Sequence, residues 1–262
     1  MSYIETNGLS LYYEEQGTGE PLVLLHGGLG SGEMFAAVAP ALAAERRVVL
    51  VDLQGHGRTA DVDRPFGVES MADDVAGLIE HLGGTADVLG YSLGGEVALR
   101  LVIQHPGRVR NLVLVSIACK RSGSHPEVLE AMDQLTPDLA EMLKHSPVYE
   151  LYARIAPRPE DFATMVAKTS ELLKVDYDWT AEVAALAART LLVFADADSV
   201  RPAHISEFFG LLGGGLRDAG WDGSDQPSNQ LAVLPGATHY DVVNSPLLAP
   251  VVLGFLQSSV PQ

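Results

Sequence analysis

A single cysteine, Cys119, stands in the chain, and one thiol cannot close an intramolecular disulfide. Covalent staples are excluded, so stability has to come from a packed core. Basic residues are also scarce: Lys and Arg number 17 against 34 Asp and Glu, a formal net charge of −17. No run of Lys and Arg makes a local exception. Such a surface repels a polyanionic duplex and argues against nucleic-acid binding. No apolar run is long enough to span a bilayer. The start, MSYIETNGLSLYYEE, has no basic region followed by an apolar one, so no secretory leader is expected and a cytoplasmic location is the default. No two histidines stand at H-x-x-x-H spacing, and one cysteine adds no ligand set, so neither a metal nor another cofactor is expected.

What the chain does have is a repeated form. Its 262 residues are 47% hydrophobic, enough for a large core. Residues 2–6 and 9–15 read as two short strands around the hairpin signal Asn7-Gly8. Apolar runs closed by small or polar residues follow at 21–27, 46–57, 86–92, 111–118, 190–198 and 230–236. They do not alternate with polar residues, which is the pattern of strands covered on both faces. Helical periodicity is expected at roughly 33–44, 69–82, 94–105, 203–212 and 246–257. Alternating strands and helices predict an α/β fold, a mostly parallel sheet flanked by helices. Residues 119–188 hold no strand-like run. They read as a helical cap inserted between two strands of a core formed by 1–118 and 189–262. Residues 213–229, rich in Gly, Asp and Ser, read as a long irregular loop.

Within this frame, Gly90-Tyr91-Ser92-Leu93-Gly94 joins a predicted strand to a predicted helix. The spacing fits a tight turn that lifts a serine hydroxyl clear of the backbone, the small residues being required by close approach of strand and helix. A helix-capping serine in a glycine-rich turn is the plainer alternative. His26-Gly27-Gly28 follows another strand, where the backbone amide of Gly28 could join that of Leu93 in holding an oxyanion. Asp196 and Asp198 follow the strand at 190–195, and His239 follows the last strand run. The order Ser92, Asp198, His239 suits nucleophile, orienting acid and general base at one sheet edge.

The conjunction of HGG at 26–28, DLQGHGRT at 52–59, GYSLGG at 90–95, DAD at 196–198 and ATHYD around His239 resembles the α/β-hydrolase fold, in its esterase, haloperoxidase and C–C hydrolase group. The chain departs from that pattern at Gln54, Thr59 and Ala195. The family pattern favours Asp198 as the acid, with Asp196 as the fallback. The resemblance implies a serine hydrolase that cleaves a carboxylic ester or lactone through an acyl-enzyme on Ser92. C–C hydrolysis, perhydrolysis, thioester cleavage and aminopeptidase chemistry fit the same residues. So does a small-molecule receptor that kept the shape. Haloalkane dehalogenase and epoxide hydrolase chemistry do not, because Ser92 stands where they need a carboxylate. The expected partner is a small ester-type substrate, with monomer and homo-oligomer both open. Tyr91, His145, Tyr149, Tyr152 and Trp179 are candidates for substrate contact, and Phe162 and Tyr177 are weighed with them. His26, His56 and Asp52 read as loop organisers. His81, His105 and His204 read as surface or interface residues on helices.

Overall fold

A computed structural model describes residues 2–258. Asn7 and Gly8, both at positive φ, turn strand β1 (Ser2–Thr6) back onto β2 (Leu9–Gln16) as an antiparallel hairpin. Six further strands complete one eight-stranded sheet: β3 (Pro21–Leu25), β4 (Arg47–Asp52), β5 (Ala86–Tyr91), β6 (Val109–Val115), β7 (Arg189–Ala197) and β8 (Gln230–Thr238). The order is β1-β2-β4-β3-β5-β6-β7-β8, and every pairing from β4 to β8 is parallel.

The continuous apolar runs have the predicted cause. Successive side chains of a strand point to opposite faces, and here both faces are covered. Val23 and Leu25 of β3, Val49 and Val51 of β4, and Leu112 and Leu114 of β6 enter one core. Leu22 and Leu24, Val48 and Leu50, and Val113 and Val115 enter the other. Helices α2 (Val68–His81) and α3 (Leu93–Gln104) cover the first face, while α1 (Ala39–Ala43) and α10 (Leu248–Gln257) cover the second.

The helix expected over 33–44 is instead a 3-10 turn, Gly32–Phe35, followed by the short α1. Pro40 explains the break. Within a continuous helix its ring would clash with the carbonyl four residues back, whereas it suits the first turn of a new one. The run at 46–57 ends as a strand at Asp52, because Gly55 and Gly57 turn the chain at positive φ.

Between β6 and β7 lie five helices: α4 (Pro126–Asp133), α5 (Leu139–Leu143), α6 (Pro147–Ile155), α7 (Phe162–Leu172) and α8 (Thr180–Val183). Pro126 and Pro147 sit in the first turns of α4 and α6, so the prolines of this segment set helix starts. Helix α9 (Pro202–Leu211) follows β7. The stretch 213–229 forms neither helix nor strand. It is fastened at its ends by Asn229, which donates to the Leu212 carbonyl at 2.6 Å and accepts from the Thr190 N–H at 2.7 Å.

Candidate active site

Ser92 sits at φ 51° and ψ −122°, between the end of β5 and the first residue of α3. A non-glycine residue there costs about 1–3 kcal/mol, so the surroundings must hold it. Its N–H donates to the Val115 carbonyl of β6 at 3.1 Å. The glycines around it answer a packing demand. A Cβ on Gly90 would fall well inside van der Waals contact distance of the Gly94 carbonyl oxygen, and one on Gly94 well inside that of the Leu25 carbonyl oxygen on β3. The helix therefore starts directly against the strand, and the serine is carried out over the sheet edge.

Ser92 Oγ lies 3.2 Å from His239 Nε2. His239 follows β8 and is clamped by Tyr91, whose hydroxyl donates to the His239 carbonyl at 2.7 Å. On the other side of the ring, Nδ1 lies 2.9 Å from Ser199 Oγ and 3.5 Å from Asp198 Oδ1. Ser199 Oγ is itself 3.4 Å from Asp198 Oδ1, so this hydroxyl bridges imidazole and carboxylate. Asp198 Oδ2 accepts from Ser116 Oγ at 2.6 Å and from the Ala195 N–H at 2.9 Å. Burial pushes the Asp198 carboxyl upward, but the bonds from His239, Ser116 and the Ala195 N–H outweigh it and hold the pKa below the usual carboxylate value. Asp196, the fallback acid, is exposed and accepts from the Gly236 N–H at 3.0 Å. Of the two aspartates, Asp198 is the one beside His239.

The turn after β3 faces the serine. A Cβ on Gly27 would come within 3.4 Å of Ser92 Cβ, and one on Gly28 within 3.9 Å of the Leu93 side chain. Leu93 opens α3, so its N–H has no partner in the helical ladder. Beneath this turn, His26 donates from Nδ1 to the Gly27 carbonyl at 2.7 Å and accepts the Leu53 N–H at Nε2 at 3.0 Å. Burial lowers His26 to about 4 and His56 to about 3, so both rings are neutral near pH 7. Asp52 accepts the N–H groups of Gly32 and Arg58. These three groups tie the loops that shape the edge and do not face the serine.

Two cavities meet at Ser92 and His239. The larger, about 570 Å³, is lined mainly by apolar side chains, among them Leu29, Met34, Val128, Leu135, Leu139 and Val166. The smaller, about 400 Å³, carries Glu96, Arg121 and Tyr177 alongside Ile117, Val200 and Trp179. Helices and turns between β6 and β7 supply much of both walls.

Of the residues proposed for substrate contact, Tyr91 lines the larger cavity and Trp179 the smaller. Three others are corrected. His145 is exposed and lines neither cavity. Tyr149 and Tyr152 pack against Phe162 with ring centroids 4.9 and 5.4 Å apart, so the three rings form core within the helical segment. Tyr177, stacked on Trp179 at 4.3 Å, is the aromatic that reaches a cavity beside it. His204 is also corrected: it is buried, not at the surface. Its Nε2 accepts the Cys119 N–H at 3.2 Å and its Nδ1 donates to Glu207 at 2.9 Å. Cys119, His204 and Glu207 thus imitate a nucleophile–base–acid set. Burial pushes the thiol up to about 12, which leaves it without thiolate character.

Sequence reasoning missed Ser199, Ser116 and Glu96. Ser199 adjoins the favoured aspartate, and Glu96 stands four residues after Ser92 on one helix face, so both carried a positional signal. Ser116 carried none, because only the fold brings it to the edge.

Comparison with known proteins gives the same architecture. Residues 20–146 match the family model described as alpha/beta hydrolase fold. The chain is 32% identical over 206 residues to a pimeloyl-[acyl-carrier protein] methyl ester esterase of Neisseria meningitidis, covering 71% of this chain and 78% of the relative. It is 32% identical over 223 residues to a 2-hydroxymuconate semialdehyde hydrolase of a Pseudomonas species, covering 76% and 77%. Among solved structures, a thermophilic esterase from Thermogutta terrifontis superposes with a TM-score of 0.70 at 24% identity, over 98% of this chain and 96% of that one.

Proposed function

We propose that this chain, which belongs to the α/β-hydrolase family, cleaves a carboxylic ester or lactone through an acyl-enzyme on Ser92. The observation that carries the reading is the 3.2 Å approach of Ser92 Oγ to His239 Nε2 at the junction of the two cavities. His239 takes the serine proton as Oγ attacks the acyl carbonyl. The N–H groups of Gly28 and Leu93 hold the oxyanion, and losing one such donor costs about 3–4 kcal/mol. The imidazolium returns its proton to the departing alcohol oxygen. Water, deprotonated by the same ring, then attacks the acyl carbon and frees Ser92 with the carboxylic acid. Asp198, directly and through Ser199, stabilises the imidazolium and fixes its tautomer. The helical segment between β6 and β7 acts as a cap that keeps water from the acyl chain.

The apolar character of the larger cavity supports seating the acyl group there and the leaving group in the smaller one. Hydrolysis of p-nitrophenyl esters from acetate to laurate tests the reading. Each added methylene is worth about 0.8 kcal/mol on burial. The expected result is a rise in kcat/KM of up to about fourfold per methylene from acetate through hexanoate, then a plateau as the cavity fills. A profile that falls from acetate onward contradicts the seating. No turnover of any ester contradicts the ester reading and returns C–C or amide cleavage on the same residues.

A further inference from the structure

Glu96 takes no part in the reaction described above, yet its side chain lines the same cavity as Ser92 and His239. It stands one helical turn beyond the serine on α3, so both project from one face. Its hydrogen-bond partner is the Tyr177 hydroxyl, which donates to Oε1 at 3.0 Å and also lies 3.4 Å from the Ala118 carbonyl. The nearby cations are engaged elsewhere. Arg121 donates to Asp133 at 2.7 Å and to the Leu173 carbonyl, and Arg100 lies over the Trp179 ring and pairs with Glu69 at 3.5 Å.

The remaining charged and titratable groups around this cavity are Glu69 from α2, Asp176 from the segment before α8, and His239. Three carboxyl groups and one guanidinium therefore line this cavity, and of the three only Glu69 has a cation beside it, Arg100, while Arg121 is held by Asp133. A charged carboxyl withdrawn from water without a cation is costly unless hydrogen bonds satisfy it, and Tyr177 supplies one to Oε1, which a ligand's donor can add to. Burial indeed pushes the Glu96 carboxyl up to about 7, against the lowering effect of the Tyr177 bond. Near neutral pH it can both accept and donate, which suits a hydroxyl, and its charged form suits an ammonium. Neither form welcomes a carboxylate.

We infer that Glu96, held by Tyr177, is the specificity-determining residue of the smaller cavity and selects substrates that bring a hydrogen-bond donor, a hydroxyl or an amine, to that end. This rests on the reaction at Ser92 only in its location. The probes are phenylboronic acid and its 3-hydroxymethyl, 3-aminomethyl and 3-carboxy derivatives, which form reversible tetrahedral adducts with a nucleophilic serine. Titration calorimetry reads Kd for each on the wild type, Glu96→Leu, Glu96→Gln and Tyr177→Phe.

On the wild type, the hydroxymethyl and aminomethyl compounds should bind about tenfold tighter than the parent, and the carboxy compound weaker. In Glu96→Leu the preference should fall to about threefold or less, and Glu96→Gln should keep the hydroxyl preference while losing the amine preference. Tyr177→Phe keeps the ring and removes the bond, so it tests the pair should Glu96→Leu fail to fold. The inference is overturned when the four compounds bind the wild type alike, or when the wild-type ranking survives in Glu96→Leu or, failing that, in Tyr177→Phe. A wild type that ranks the compounds as expected but hydrolyses no ester would remove the ester reading and leave this one standing.

Discussion

Ser92→Ala is expected to lower kcat for p-nitrophenyl hexanoate by about 10⁶-fold while leaving the fold intact. In the proposed reaction the serine acts as a unit with His239, so removing the attacking atom forfeits the whole covalent route. On that reading what survives is water attack assisted by the Gly28 and Leu93 amides, and that residue of catalysis is small. The backbone does not change, because Ala suffers the same positive φ as Ser and keeps the N–H bond to the Val115 carbonyl. Circular dichroism and thermal midpoint should therefore match the wild type. A variant that is inactive and also unfolded would not count as support. A variant that retains more than about a hundredth of the rate would mean that the chemistry runs through another group.

Gly94→Ala carries the second large effect, and it falls on stability first. The new Cβ points at the Leu25 and His26 carbonyls, which belong to the end of β3 and the turn beside it. Those atoms are backbone inside the most central part of the sheet, with β4 on one side of β3 and β5 on the other. They cannot swing aside as a side chain would. Helix α3 must lift away from β3, which parts Ser92 from the Gly28 turn and breaks the packing of Val97, Ala98 and Leu101 in the core. Overpacking of this kind costs about 1–3 kcal/mol, and more where backbone is the obstacle. A fall in Tm of about 6 °C or more is expected, together with loss of turnover beyond the loss of folded protein. Scanning calorimetry and active-site titration measure the two separately. A Tm within about 2 °C of the wild type would show that the helix is not seated against β3 as described.

The parallel sheet was legible because burial on both faces forces continuous apolar strands such as PLVLL and NLVLV, and glycine turns end them. The candidate site was legible as a placement, since Ser92, Asp198 and His239 each follow a strand and all such ends share one edge. The first helix was not, because the periodicity of 33–44 hides the consequence of Pro40. Neither was the pocket wall. Tyr149, Tyr152 and Tyr177 are alike in composition and neighbourhood, and only the packing of α6 and α7 decides that the first two meet Phe162 while the third meets Glu96. His204 misled for the same reason: its place on an amphipathic helix gives no sign that Cys119 and Glu207 close over it. Ser199 was passed over because a hydroxyl between an aspartate and a histidine is defined by distance, not by spacing.

The most direct test of the account is to treat the native protein with a fluorophosphonate and locate the adduct by mass spectrometry. The account predicts one adduct per chain, on the peptide that carries Ser92, with no labelling of Ser92→Ala and greatly slowed labelling of His239→Ala. An unmodified protein, or an adduct on any other residue, would contradict the claim that Ser92 is a nucleophile activated by His239.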